Sequence, residues 1–216
     1  MYETTFNFPK IVRPLISCLC PTKNHPKILK TAIDCFNNQT YENKELILVT
    51  DEKNPHLEIL ETFVGDNIKL FKAPHGSIMG TLRNISVKNA NGEYIATWDD
   101  DDIHHKDRLT TQYRAIIRSN KQCCFLKRVL INDTVGKKKG ISKIGRAIDA
   151  SMLALKSEMP KYDISKSIAE DVPIRNFFIK NEKIIIIDEP QLYIHNIHGD
   201  NTCEYIHMKT MIDVVI

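Results

Sequence analysis

The sequence predicts an α/β fold, a three-layer sandwich with a mostly parallel central sheet. Short apolar runs alternate with helical stripes from Leu15 onward, the pattern of strands covered on both faces by helices. The 216 residues, 42% hydrophobic, suffice for one domain with its own core. A strand-like segment, Glu93 to Trp98, runs into four consecutive aspartates, which places charged chemistry at the strand end where open parallel sheets bind ligands.

Leu15 to Cys20 (LISCLC) reads as a buried strand, and Pro26 to Asn38 carries Ile28, Leu29, Ala32, Ile33 and Phe36 on one helical stripe. Glu45 to Thr50 is the second strand, His56 to Val64 the next helix, and Ile68 to Phe71 a third strand. Ser77 to Ala90 forms another helix ahead of the strand Glu93 to Trp98. Beyond Asp102 the rhythm is less regular. Lys106 to Ser119 is an amphipathic helix, Gln122 to Ile131 a strand, and Asp133 to Arg146 a Gly/Lys-rich loop whose Lys137-Lys138-Lys139 run is solvated. Ala150 to Leu155 is a strand, Ile168 to Lys180 a helix opened by Glu170, Asp171 and Pro173, and Lys183 to Asp188 a fully buried strand. One domain over residues 1–216 is expected, with a nucleotide-binding first half (about 12–102) and a more variable second half (about 103–216).

Composition narrows the function. A net charge of +3, from 30 Lys+Arg against 27 Asp+Glu, gives no basic face for nucleic acid. No uninterrupted apolar run is longer than four residues, Ile184 to Ile187 being one, so no transmembrane segment is expected. MYETTFNFPK lacks the basic start and apolar stretch of a signal peptide, and a cytoplasmic location, with peripheral contact with a membrane left open, is expected. The six cysteines (Cys18, Cys20, Cys35, Cys123, Cys124 and Cys203) read as buried thiols, their spacing unlike that of a tetrahedral zinc site.

The sharpest motif is Trp98-Asp99-Asp100-Asp101-Asp102. Adjacent carboxylates repel, so a compact protein keeps them together where water solvates them or a cation neutralises them. In an extended stretch Asp99 and Asp101 point one way and Asp100 and Asp102 the other, so an Asp-x-Asp pair can share Mg²⁺ or Mn²⁺ with substrate phosphates. Asp51, at the end of the second strand, has two readings: a carboxylate that accepts the N3–H of uracil, or a cap or turn residue. Thr22 stands in the same way at the end of the first strand. Arg83, after His75-Gly76-Ser77 and Gly80, is suited to a diphosphate or a base, or equally to a surface pair. Glu170-Asp171 is either a first-turn acidic pair or a general base. His195 and His198 follow the last strand and bring imidazole within reach of a metal or diphosphate, or serve as ordinary loop residues.

In this order, LISCLCPTKNHPKILKTAIDCFNNQTYENKELILVTDE, GSIMGTLRNISVKNANGEYIATWDDDD and WDDDDIHHKDRL resemble the family 2 glycosyltransferases, over Leu15 to about Thr202. The resemblance implies the GT-A fold, a Rossmann-like three-layer sandwich, and inverting transfer from a nucleotide sugar. It further implies that Thr22 and Asp51 hold uridine, that Arg83, Asp99 and Asp100 lie against the nucleotide, and that Asp101, Asp99 and His198 serve an Mn²⁺ or Mg²⁺ ion. Asp171 then becomes the catalytic base. Implied partners are a nucleotide-sugar donor, UDP-sugar favoured, and a glycan, glycolipid or glycoprotein acceptor, as in polysaccharide biosynthesis. One departure touches the base pocket: Thr50-Asp51-Glu52-Lys53 stands where many relatives carry two aspartates and Gly-Ser. The chain ends at Ile216 without the membrane helices of larger relatives, as expected of a small enzyme or one domain of a longer protein. A nucleotidyltransferase and a non-catalytic sugar-nucleotide-binding module are the alternatives. CPTKNH, however, lacks the early glycine-rich phosphate loop a nucleotidyltransferase would use.

Overall fold

A computed structural model describes residues 13–23, 26–145, 147–165, 169–199, 201 and 210–215. The first half follows the predicted alternation: β1 (Ile16–Pro21), α1 (Pro26–Asn37), β2 (Lys44–Asp51), α2 (Leu57–Glu61), β3 (Ile68–Ala73), α3 (Met79–Asn89) and β4 (Tyr94–Thr97). A two-residue strand β5 (Ile103–His104) and helix α4 (Arg108–Ser119) come next, then β6 (Cys123–Leu126), β7 (Leu130–Asp133), β8 (Lys138–Ser142) and β9 (Ile148–Leu155). Helix α5 (Val172–Lys180), β10 (Ile184–Ile187), β11 (Tyr193–Ile197) and β12 (Ile212–Val215) complete the described elements.

Seven strands form the main sheet in the order β10-β6-β9-β4-β1-β2-β3. Every pairing is parallel except those of β9, which runs antiparallel to both β4 and β6. Alternation along the strands sorts the core into two layers. Cys18, Cys20, Leu46 and Leu48 face Leu29 and Phe36 of α1 and Leu109 and Ile116 of α4. Leu19, Ile47 and Val49 face Leu82 of α3 and Ile174 and Phe178 of α5. Among the described residues no helix is long and apolar enough to cross a membrane.

The structure differs from the prediction in several places. The helix expected from Ile168 begins at Val172, and His195 lies within β11 rather than after the last strand. The helix expected over His56 to Val64 is one short piece, because Gly65 and Ile68 form a β-bridge that turns the chain back. Gln122 to Ile131 is two strands in two sheets: the Val129 amide bonds Ser142 Oγ at 3.0 Å, which diverts the chain after Leu126. The Lys-rich segment expected as a loop contains β8, paired with β7 and β12 in a five-stranded sheet of order β12-β8-β7-β11-β5. Lys138 and Lys139 still face water from that strand. Finally, β10 is partly exposed rather than fully buried, since it is the edge of the main sheet and pairs only with β6.

Candidate active site

The acidic motif begins where β4 ends. Trp98 is buried and anchored, its amide on Leu19 O (2.9 Å) and its indole N–H on Ala32 O (3.0 Å). Asp99 to Asp102 then form a turn rather than the extended stretch expected. The sorting of side chains is nevertheless the one alternation gives: Asp100 and Asp102 are buried, whereas Asp99 and Asp101 keep 20% and 17% of their side chains exposed.

Asp102 is committed to structure. Its carboxylate accepts from Tyr193 Oη, from the Asn196 amide at 2.8 Å and from His195 Nδ1 at 3.0 Å. Burial alone would raise its pKa, but the His195 charge and these bonds hold it below the usual carboxylate value. Burial likewise opposes protonation of His195, and Asp102 outweighs that and raises its pKa above the usual imidazole value. These contacts lay β11 against the acidic turn, with β5 paired antiparallel on its other edge.

Asp101 faces outward from the same turn. His198 Nε2 lies 3.0 Å from its Oδ2, and Asn201 Nδ2 lies 3.3 Å from that oxygen. Burial, followed by the charges of Asp102, Asp100 and Asp99, raises the Asp101 pKa, so a cation beside it would relieve stored repulsion. Asp101 Oδ2 and His198 Nε2, 3.0 Å apart, are a carboxylate oxygen and an imidazole nitrogen, donor types that divalent ions take. Among the described residues no set of three or more His, Cys, Asp or Glu groups is arranged to hold an ion alone. Mg²⁺ commonly takes one or two protein carboxylates and completes its shell with water and substrate phosphates, so the residues present fit such an ion.

Helix α3 connects this turn to the predicted acidic pair. Arg83, buried, donates from Nη2 to Asp99 Oδ1 (3.0 Å) and from Nε to Glu170 Oε1 (2.8 Å), and its guanidinium lies over the Tyr162 ring. One residue on, the Asn84 side chain bonds both the amide and the carbonyl of Tyr162. Gly80, one turn earlier, makes the approach possible: a Cβ there would sit 2.1 Å from Asp163 O. Gly80, Arg83 and Asn84 therefore seat on α3 the segment that leads to Asp171.

Asp171 is the N-cap residue of α5, yet its side chain makes no capping bond. That separates it from the ordinary role of an acidic residue at a helix start. Burial raises its pKa, Arg83 pulls it back, and Glu170 and Asp99 push it up again. Asp149 of β9 pairs with Arg175, one turn further along α5. Burial and then the Asp171 charge push Asp149 up to about 7 despite Arg175.

Asp51 fulfils the turn reading in its geometry. It accepts from the amides of Lys53 and Gly76, both at 2.8 Å, and lies 3.0 Å from His75 Nδ1. The Lys53 bond first, then those of Gly76 and His75, lower its pKa to about 2. Gly76 sits at φ +78°, a backbone region that suits glycine. Thr22 is buried at the end of β1, its amide on Val49 O, and Thr22 Oγ1 has no hydrogen-bond partner among the described residues. Both residues lie at the same sheet edge as the acidic turn.

Several contributors carried no sequence signal. Asp149, Arg175, Tyr162 and Tyr193 reach the site only through tertiary contacts. Arg108, fully buried, donates to His104 Nδ1 at 2.6 Å and packs over the rings of Trp98 and Tyr193. That bond assigns the His104 proton to Nε2, which faces Asp99 O at 3.3 Å and steadies the start of the turn. Cys18, Cys20, Cys123 and Cys124 are buried thiols with pKa values raised by burial, as expected; Cys35 is only partly buried, and Cys203 lies outside the described residues.

The family described as glycosyl transferase family 2 matches residues 17–188. An uncharacterized glycosyltransferase of Rickettsia felis is 34% identical over 101 residues, 46% of this chain and 17% of that one. The Escherichia coli protein UDP-Glc:alpha-D-GlcNAc-diphosphoundecaprenol beta-1,3-glucosyltransferase WfgD is 30% identical over 127 residues, 57% of this chain and 50% of its own. The matched stretch is thus half or less of these relatives' length. Among solved structures, S. aureus TarS 1-349 in complex with UDP-GlcNAc superposes with a TM-score of 0.72 at 17% identity, covering 87% of this chain and 60% of that 1-349 chain.

Proposed function

The chain belongs to glycosyl transferase family 2 and has the GT-A fold, and from that premise we propose that it is a metal-dependent inverting glycosyltransferase. It moves a sugar from a nucleoside-diphosphate sugar, UDP-sugar favoured, to a hydroxyl of a glycan, glycolipid or glycoprotein. The observation that carries this reading is the Arg83 bridge, which brings the acidic turn and the Glu170-Asp171 pair into one site. The donor named for WfgD, UDP-Glc, supports uridine, as does the UDP-GlcNAc in the TarS complex.

In this mechanism the first half, about residues 12–102, holds the donor, and the second, about 103–216, supplies the base and the acceptor surface. Thr22 and Asp51 meet the uridine at the ends of β1 and β2. Asp99, Asp100 and Arg83 line the nucleotide side. Asp101 and His198, with Asp99, would hold Mn²⁺ or Mg²⁺. When bound, the ion offsets the negative charge that develops on the departing diphosphate. Asp171 accepts the proton of the acceptor hydroxyl as its oxygen attacks the anomeric carbon. The bond from that carbon to the diphosphate breaks, its electron pair leaving with the nucleoside diphosphate, so one displacement inverts the centre without a covalent enzyme intermediate. The raised pKa of Asp171 makes it a stronger base than an exposed aspartate.

Calorimetric titration with UDP, GDP, CDP and dTDP, each with and without Mn²⁺, tests the donor side. Metal-dependent preference for UDP is expected. Preference for another nucleotide overturns the uridine assignment, and binding of none overturns the donor site as a whole.

A further inference from the structure

Asp171 makes no capping bond, so its position depends on how its backbone is held. On its N-terminal side Glu170 is gripped by Arg83 of α3. On its C-terminal side the Arg175 amide donates to Asp171 O at 3.2 Å, and the Arg175 side chain is gripped by Asp149 of β9. Two ion pairs, anchored in different elements, thus bracket the one carboxylate assigned to proton transfer.

Two features separate the second pair from ordinary helix anchoring. Helix α5 already packs on the sheet through buried Ile174 and Phe178, so its docking does not need a charged contact in the first turn. The bridge is also made by one oxygen and one nitrogen, leaving Asp149 Oδ1 and Arg175 Nε buried without hydrogen-bond partners among the described residues. Remote from this site, Arg128 and Asp188 make the two-pronged pair at 2.9 Å for both bonds, the geometry that satisfies both groups. Native proteins leave few buried polar atoms unsatisfied, and those that remain need a reason.

We propose that Asp149 and Arg175 are positioning residues for the transfer reaction, holding the first turn of α5 so that Asp171 points at the acceptor hydroxyl. This rests on the reading of Asp171 as the base. Arg175 acts through the backbone of Asp171, and Asp149 acts through Arg175; neither takes a proton from substrate. Small displacements of a catalytic group cost large factors in rate while leaving remote binding contacts intact, so the expected signature falls on kcat.

The test is steady-state transfer by Asp149→Asn, Arg175→Gln, Arg175→Lys and the double variant Asp149→Asn/Arg175→Gln, with UDP affinity measured on each. The first two lower kcat by about tenfold or more while the donor KM and UDP affinity stay within about twofold of the parent, which also shows that they fold. Arg175→Lys, which keeps a cation for Asp149, recovers most of the rate, and the double variant is no worse than either single one. Unchanged kcat, UDP affinity lost in step with kcat, or Arg175→Lys as impaired as Arg175→Gln overturns the proposal. Asp171→Asn is measured alongside: full transfer by that variant contradicts the base reading itself, independently of the other four.

Discussion

The Arg83 Nε lies 2.8 Å from Glu170 Oε1, and both side chains are 7% exposed. Because the same guanidinium also holds Asp99, one buried cation joins the acidic turn to the segment that presents Asp171. A lysine has a single point of charge and lacks the fork that spans both carboxylates. Arg83→Lys is therefore expected to lower transfer more than it lowers UDP affinity. Arg83→Met, which leaves the buried Glu170 and the partly exposed Asp99 without their cation, is expected to cost about 3 kcal/mol of stability. Chemical denaturation and calorimetry on the two variants check this, and a fully active Arg83→Met would contradict it.

The outward pair Asp101 and His198 gives a metal prediction. Asp101→Ala and His198→Ala each weaken Mn²⁺-dependent UDP binding, the carboxylate variant by more, because a hard divalent ion favours charged oxygen. Titrating UDP at several Mn²⁺ concentrations reads this directly. Metal dependence identical to that of the parent would refute the assigned role.

Gly80 tests how the base segment is seated. In Gly80→Ala the new Cβ collides with the backbone carbonyl of Asp163, which no rotamer can relieve. A loss of about 1–3 kcal/mol is expected, with transfer reduced further than UDP affinity. Thermal unfolding and kinetics on one preparation separate the two effects. Unaltered stability would mean that the segment seats differently.

Glu45, buried at the start of β2, supplies a pH prediction remote from the site. Burial would raise its pKa, but bonds from Lys69, Ser17 and Asn91 outweigh that and bring it down to about 2 from 4.5. A carboxylate whose folded pKa is depressed stabilises the fold fully above its unfolded pKa, and that stabilisation fades as pH falls toward the folded value. The melting-temperature gap between the parent and Glu45→Gln is therefore widest at neutral pH and narrows between pH 4.5 and 2. A gap that does not vary with pH would contradict this.

The first half of the chain was legible because its strands are buried on both faces and its helices are periodic: β1, β2, β4, α1 and α3 all lie where local pattern places them. The small sheet was not. Lys138-Lys139-Gly140-Ile141-Ser142 has no local strand signature, and it becomes β8 through pairing with β7 and the distant β12. The acidic motif could be read because its four charges are adjacent in sequence, and the burial of Asp100 and Asp102 follows the alternation expected of them. Asp149 and Arg175 could not, since a lone aspartate in a strand and a lone arginine in a helix acquire meaning only when folding brings them together. Asp51 offered two readings, and the structure shows its carboxylate engaged in the turn with Lys53 and Gly76.

The central claim is that Asp171 takes the acceptor proton in a site whose donor-binding parts stand without it. Transfer by Asp171→Asn from a UDP-sugar, measured beside its calorimetric affinity for UDP with Mn²⁺, tests that most directly. The account predicts loss of transfer by about a hundredfold or more, with UDP affinity nearly unchanged. Transfer at the parent's rate, or UDP affinity lost in step with the rate, would contradict it.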